Sequence, residues 1–160
     1  MICKTFAVRV LAIVLLAAMV TSVRVPATAQ PIDPGIAAAI DREMDAFARG
    51  NLDAFLDDFT DNAVVIDDAE PLFIPGRAAI REWFIDNRRG AGNVTLSHGA
   101  ATDYTLGKNE AFAALPFRLA IGSPPNRFIA NGTYTATFVR EKEDYWKIRS
   151  LTIAILSTGS

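Results

Sequence analysis

The chain is almost without thiols and imidazoles: it has one cysteine, Cys3, and one histidine, His98. A zinc site needs three or four converging His, Cys or carboxylate ligands, so the composition implies no metal. No bridge can form within a chain that has a single cysteine, and the fold must be held by its core alone. Positive charge is scarce too, with 16 basic against 18 acidic residues. Arg88-Arg89 and the stretch from Arg140 to Lys142 are too short to neutralise a phosphate backbone or an anionic membrane. Nucleic acid is thereby excluded as a partner. Internal repeats and low-complexity tracts are absent as well.

What is present begins with a leader. Lys4 and Arg9 precede an apolar run from Val10 to Val20, and Ala27-Thr28-Ala29 supplies small residues at the −3 and −1 positions of a cleavage site. This is the pattern of a cleavable secretory signal peptide over residues 1–29. Arg9 and Arg24 bracket 14 residues, fewer than the ~20 of a membrane span. Residues 30–160 are expected to be one exported domain, periplasmic or extracellular, with no membrane attachment after cleavage. They carry 13 basic and 18 acidic residues, a net charge near −5. A domain of ~130 residues buries about two thirds of its unfolded surface, enough for a core without disulfides.

Asp33-Pro34 reads as N-cap and first turn of a helix whose apolar face is Ile36, Ile40, Met44 and Phe47, ended by Gly50. Asn51 caps a short second helix with Leu52, Phe55, Leu56 and Phe59 on one side and Asp53, Asp57 and Asp58, expected to be solvated, on the other. The stretch from Ala63 to Asp67 is too short and evenly apolar for an amphipathic helix and predicts a strand, followed by a loop with Pro71 and Pro75. A third helix opens at Gly76 with Ile80, Trp83 and Phe84 on one stripe. From Val94 the period changes to two: strands are expected from Val94 to about Tyr104, Glu110 to Ile121, Arg127 to Arg140 and Tyr145 to Leu156. The fold class is α+β, with three N-terminal helices packed on a curved, mostly antiparallel sheet. On the last strand Trp146, Ile148, Ser150, Thr152 and Ala154 alternate with Tyr145, Lys147, Arg149, Leu151 and Ile153, so both faces are apolar at its far end. That two-sided burial predicts a homodimer through the sheet.

ARGNLDAFLDDFTDNAVVID, the GRAAIREWF that opens the third helix, the ALPFR at 114–118 and the closing NGTYTATFVREKEDYWKI together resemble the NTF2-like superfamily, in its SnoaL-like and ketosteroid-isomerase-like branch. The resemblance spans about residues 35–156 and implies a cone with a pocket for a small molecule. It also places Asp67 where isomerase-like members carry the aspartate that shuttles a proton beside a carbonyl. The chain departs from that pattern at two positions. Glu43 stands where the first helix should supply a donor tyrosine, and Asn131 or Gly132 falls near the position of a second, protonated acid. Since the superfamily holds both enzymes and binding modules, the fold leaves the activity open.

Asp67 is accordingly the candidate base. His98, the side chain that titrates nearest neutrality, and the phenols Tyr104 and Tyr134 are candidate proton donors or oxyanion partners. Trp83, Phe112, Phe117, Asn131 and Trp146 are candidate pocket walls. Each has a plainer structural explanation: a strand-end acid in water, a hydrogen-bonded wall histidine, or core aromatics. Two functions follow. One is cofactor-free proton transfer, of isomerase, cyclase or dehydratase type, on a small apolar or amphipathic molecule. The other is a non-catalytic ligand-binding or association module.

Overall fold

The computed structural model describes residues 31–68, 73–142 and 145–159; the leader lies outside the described residues. Helix α1 runs from Pro34 to Arg49, and the Asp33 side chain accepts the N–H groups of Gly35 and Ile36 at its start. Gly50 closes it in the left-handed region at φ 71°, a conformation costly for any residue with a Cβ. Asn51 caps α2, Leu52–Asp57, which leads directly into β1, Phe59–Asp67. The short β2, Phe73–Pro75, precedes α3, Gly76–Arg88. Then come β3, Val94–His98, β4, Asp103–Leu106, β5, Glu110–Ile121, β6, Phe128–Lys142, and β7, Tyr145–Gly159.

The strands form a curved, open, mixed sheet in the order β2-β1-β7-β6-β5-β3, with β4 pairing on β5 beside β3. The β1–β7 pair is parallel and the other pairs are antiparallel. Three helices are described, but they are not all N-terminal to the sheet, because α3 follows β1 and β2. The expected loop before α3 contains β2, whose Pro75 fits because β2 is a sheet edge and needs no second set of ladder donors. The single strand expected from Val94 to Tyr104 is instead two, interrupted after His98, and both pieces pair with β5.

Behind the sheet, Phe47, Phe55, Phe59, Trp83 and Phe84 pack with ring centroids 4.7 to 6.2 Å apart. Such pairs each add about 0.5–1.5 kcal/mol beyond the area they bury. Trp146, Phe138, Ile148 and Leu115 fill the closed end. Asp58, expected in solvent, is buried there, and Arg42 donates to its Oδ1 from Nε at 3.0 Å.

The β6–β7 pairing has three register shifts, two of which leave an extra residue on β7. Thr137 faces Ser150 but Phe138 faces Ile148, leaving Arg149 as an extra residue; likewise Asn131 faces Ser157 but Gly132 faces Ile155, leaving Leu156. Each bulge shifts the side-chain frame by one. Trp146 and Ile148 point to the helices, but beyond Arg149 it is Leu151, Ile153 and Ile155 that do so, against the uninterrupted alternation expected from the sequence.

His98 ties α1 to this sheet. Its Nε2 lies 2.9 Å from Asp41 Oδ1 and its Nδ1 lies 2.9 Å from the Gly99 carbonyl oxygen. Burial alone would lower its pKa, but the Asp41 carboxylate and the Gly99 carbonyl outweigh burial and raise it. A folded-state value above the unfolded one gives stability that is full below the ordinary histidine range and is lost as pH rises through the folded value. Asp41 is mostly exposed, so the contribution is that of an exposed pair, under ~1 kcal/mol. Asp41→Asn is therefore expected to lower unfolding free energy in urea at about pH 5 and to leave it unchanged at about pH 9; equal loss at both would discard the charged latch.

Candidate active site

Between α1, α3 and the far ends of β3, β5, β6 and β7 lies a pocket of about 420 Å³, within the usual range for small-molecule sites. Its wall is mostly aliphatic and aromatic: Met44, Phe47, Trp83, Phe117, Ile153 and Ile155 among others. Space for it is kept by Gly132, which faces Phe117 across β5 and β6. A Cβ there would come within 2.7 Å of the Phe117 ring and 2.2 Å of the Ala154 carbonyl oxygen.

Two carboxyl groups are buried in this wall. Asp67 ends β1 on the same alternation as Ala63 and Val65, which brings its side chain inward with 6% exposure. The indole N–H of Trp83, from α3, donates to its Oδ2 at 2.9 Å. Asn87, one helical turn on, donates to the Trp83 carbonyl and also lines the pocket. Adjacent Asp68 is exposed at the rim. It is not merely solvated, for its N–H donates to the Ile153 carbonyl and its Oδ2 accepts the Ile155 N–H. Those bonds extend the parallel β1–β7 pairing past the end of β1.

The second buried carboxyl is Glu43, on α1, 4% exposed. Desolvation first, and the negative charge of Asp58 second, push its pKa up to about 8, with only the Tyr134 hydroxyl pulling the other way. Tyr134, from β6, is driven well above the ordinary phenol range by burial and then by the charges of Glu43 and Asp58. Both groups thus keep their protons at neutral pH and can donate. They interact with each other, yet Glu43 Oε2 and Tyr134 Oη both lack a partner in hydrogen-bond geometry.

Asp67, Tyr134, Trp83 and Phe117 meet in the pocket; the other candidates do not. His98 follows Val94 and Leu96 on the inward frame of β3 but lies beyond the pocket, taken up by Asp41 of α1. Tyr104 packs at the closed end, where its hydroxyl meets the Asp33 backbone. Phe112 alternates with the inward Ala111 and Ala113 and so lies on the face away from the helices. Asn131 is exposed beside the second bulge, its amide 3.4 Å from Ser157 Oγ. Trp146 is fully buried core under the Arg140 guanidinium. Glu43 had a signal in the sequence, being an acid inside the apolar stripe of Ile36, Ile40, Met44 and Phe47. Among the described residues no group of three His, Cys, Asp or Glu side chains could hold a metal, and no helix is long and apolar enough to cross a membrane.

No family model and no curated protein matches the sequence. Solved structures do match. A Novosphingobium aromaticivorans protein named provisionally as an aromatic ring hydroxylase is 21% identical with a TM-score of 0.68, over 77% of this chain and 87% of that one. A nuclear transport factor 2 (NTF2-like) superfamily protein from Salmonella enterica is 15% identical with a TM-score of 0.65, over 76% and 89%. A ketosteroid isomerase-like protein from Erwinia carotovora is 14% identical with a TM-score of 0.62, over 76% and 94%. The protein has the NTF2-like fold. Within it, the ketosteroid-isomerase-like structures share its architecture, at identities that speak for fold alone.

Glu43 gives the site a stability signature. Its folded pKa lies above the unfolded carboxyl value, so the native state holds an extra proton between those values and stability falls as pH rises from about 4.5 to about 8. Urea unfolding of Glu43→Gln, which cannot ionise, is expected to lose that slope and to be the more stable form at about pH 8. An unchanged slope would show that Glu43 ionises normally in the folded protein.

Proposed function

We propose that the protein is a cofactor-free acid–base enzyme that moves a proton beside a carbonyl of a small, largely apolar molecule. Asp67 is the base, and protonated Glu43 with Tyr134 holds the oxygen on which negative charge develops. The observation that carries this reading is the buried pair of Glu43 and Tyr134, two groups that keep their protons at neutral pH, in the same pocket as Asp67. Ketosteroid isomerase divides the work in the same way, with an aspartate base facing a tyrosine and a protonated acid. Here the parts are exchanged, since the acid is on the first helix and the tyrosine on a strand. The steps are enolisation by loss of a carbon-bound proton to Asp67, then either return of that proton at another carbon or its transfer to a β-hydroxyl, which leaves as water while the enolate collapses to the conjugated carbonyl. Trp83 fixes the orientation of the Asp67 carboxyl through its indole N–H, and its ring is also part of the pocket wall. Export through the leader over residues 1–29 is part of the proposal.

Deuterium uptake from D2O at the carbon beside the carbonyl of a ring ketone such as 2-tetralone, followed by NMR, tests the reaction without knowledge of the natural substrate. Asp67→Asn is expected to cut the rate by ~10² to 10⁴, the range of general base catalysis, with thermal unfolding retained. Exchange at the parent rate in a folded Asp67→Asn protein would remove this residue from the mechanism.

A second reading, association through the sheet, has its own support. The face away from the helices carries Phe112, Ala114, Thr135, Thr137, Thr152 and Ala154, aligned across β5, β6 and β7 with no charge among them. Glu110 and Arg118 of β5 and Lys147 of β7 border this patch, with Arg149 paired to Glu110, and a two-fold contact would lay the neutral centres of two copies on each other. Light scattering after gel filtration should give a dimer mass, and Thr135→Arg a monomer; a monomeric parent would refute the contact.

A further inference from the structure

Asp68 stands at the pocket rim, next in the chain after the last residue of β1. In a regular parallel ladder a residue at this place gives its N–H to a carbonyl of the neighbouring strand and takes, at its own carbonyl, the N–H found two residues further along that strand. Asp68 gives its N–H to the Ile153 carbonyl at 3.2 Å, as the register of Asp67 against Ile153 requires. The Ile155 N–H, however, goes to the Asp68 carboxylate, at 2.5 Å. A side chain thus stands in for a carbonyl and completes the last rung of the ladder where the main chain bends. Resting on the acid–base reading, the structure assigns Asp68 a positioning role: its carboxylate ties the end of β1 to β7 and so holds Asp67 in line with the cavity.

Three features make this rung matter. Bonds to one neighbour leave a parallel strand at every second residue, so Asp67 lies between a rung at Ile66, opposite Thr152, and the rung at Asp68. Without the second, the residue that carries the base would be the loose end of a strand, and strand ends fray. Next, β7 is bulged directly beyond Ile155: Gly132 faces Ile155 but Asn131 faces Ser157, and Leu156 projects with 73% of its surface exposed. A bulge disrupts its ladder and bends its strand, and the Asp68 carboxylate is a second attachment for β7 at that interruption. Finally, Asp67 Oδ2 accepts the Trp83 indole N–H from α3 at 2.9 Å. A drift of β1 away from β7 would therefore be felt in that bond as well as in the chemistry.

Asp68→Ala removes the acceptor, whereas Asp68→Asn keeps an oxygen in its place and removes only the charge. Both are compared with the parent by amide hydrogen exchange, by the Trp83 indole N–H signal in NMR, and by deuterium uptake into 2-tetralone at saturating ketone. In the alanine variant the Ile155 amide is expected to exchange at least ~10-fold faster, while Val65 and Leu151, deeper in the same ladder, stay protected. The indole signal should move, and the saturated rate should fall ~10- to 100-fold with KM changed less than about threefold, the pattern of a misplaced base. Asparagine should restore the rate to within about threefold of the parent, and the indole signal with it. Parent-like exchange at Ile155 in the alanine variant would show that no rung exists and overturn the inference, as would a freed Ile155 with the parent's rate. Asparagine failing as badly as alanine would assign the effect to the charge of Asp68, which also overturns it. A parent that exchanges no ketone proton would condemn the acid–base reading instead. The NMR measurements then decide alone: an indole signal moved by alanine and restored by asparagine supports the positioning of Asp67, and an unmoved one overturns it.

Discussion

The helical layer is too small for the sheet it covers. α1 covers the end where Trp146, Phe138 and Ile148 pack, but β5, β6 and β7 run on and curve, so that their far ends, with α3 across from them, enclose space instead of filling it. That mismatch is the source of everything chemical about the molecule. A hollow lined by Ile153, Ile155, Leu119 and Phe117 is a medium of low polarizability, and any carboxyl group exposed to it rather than to water finds its charged form disfavoured. Glu43 is so placed; Asp67, the other carboxyl in the wall, has different neighbours. Asp67 meets an indole N–H that supports negative charge; Glu43 meets a phenol from the front and the field of Asp58 from behind. It is on this difference of neighbours that the proposed acid–base division would draw.

Asp58 links this chemistry to the outside. It is buried on the far side of α1 and held by Arg42, whose guanidinium also stacks on Tyr145 with 5.0 Å to the ring centroid. Burying that acid is costly unless paired, and the pairing leaves enough negative potential to help keep Glu43 protonated. The ion pair on one side of the helix thus takes part in setting the proton inventory on the other.

The order of elements could be read from the sequence because it rests on local physics: caps at Asp33 and Asn51, a stop at Gly50, and a change of hydrophobic period after Gly90. Asp67 was likewise legible, since it ends an apolar strand whose inward frame is fixed by Ala63 and Val65. What escaped was set by contacts distant in sequence. The break between β3 and β4 is invisible in a stretch that alternates throughout. Asp58 reads as one of three acids on a solvent face until Arg42 is seen beside it. Phe112 and Trp146 are aromatic enough for a pocket wall, but the first falls on the wrong face of β5 and the second at the wrong end of β7. Most instructive is the carboxy-terminal strand, whose alternation held up to Ile148 and then inverted, because one extra residue at Arg149 cannot be told from an ordinary member of a strand.

That inversion gives the strand two registers of meaning. Deleting Arg149 would leave every later pair of β7 in place; pairing that ran on through Arg149 without the bulge, by contrast, would send Ile153 and Ile155 outward while carrying Thr152 and Ala154 into the cavity. The hollow would become hydroxyl-lined and the back of the sheet greasy, with hardly a change in composition. In a scaffold of this kind, whether one residue of a strand is paired or bulged therefore decides more about specificity than most replacements of one amino acid by another.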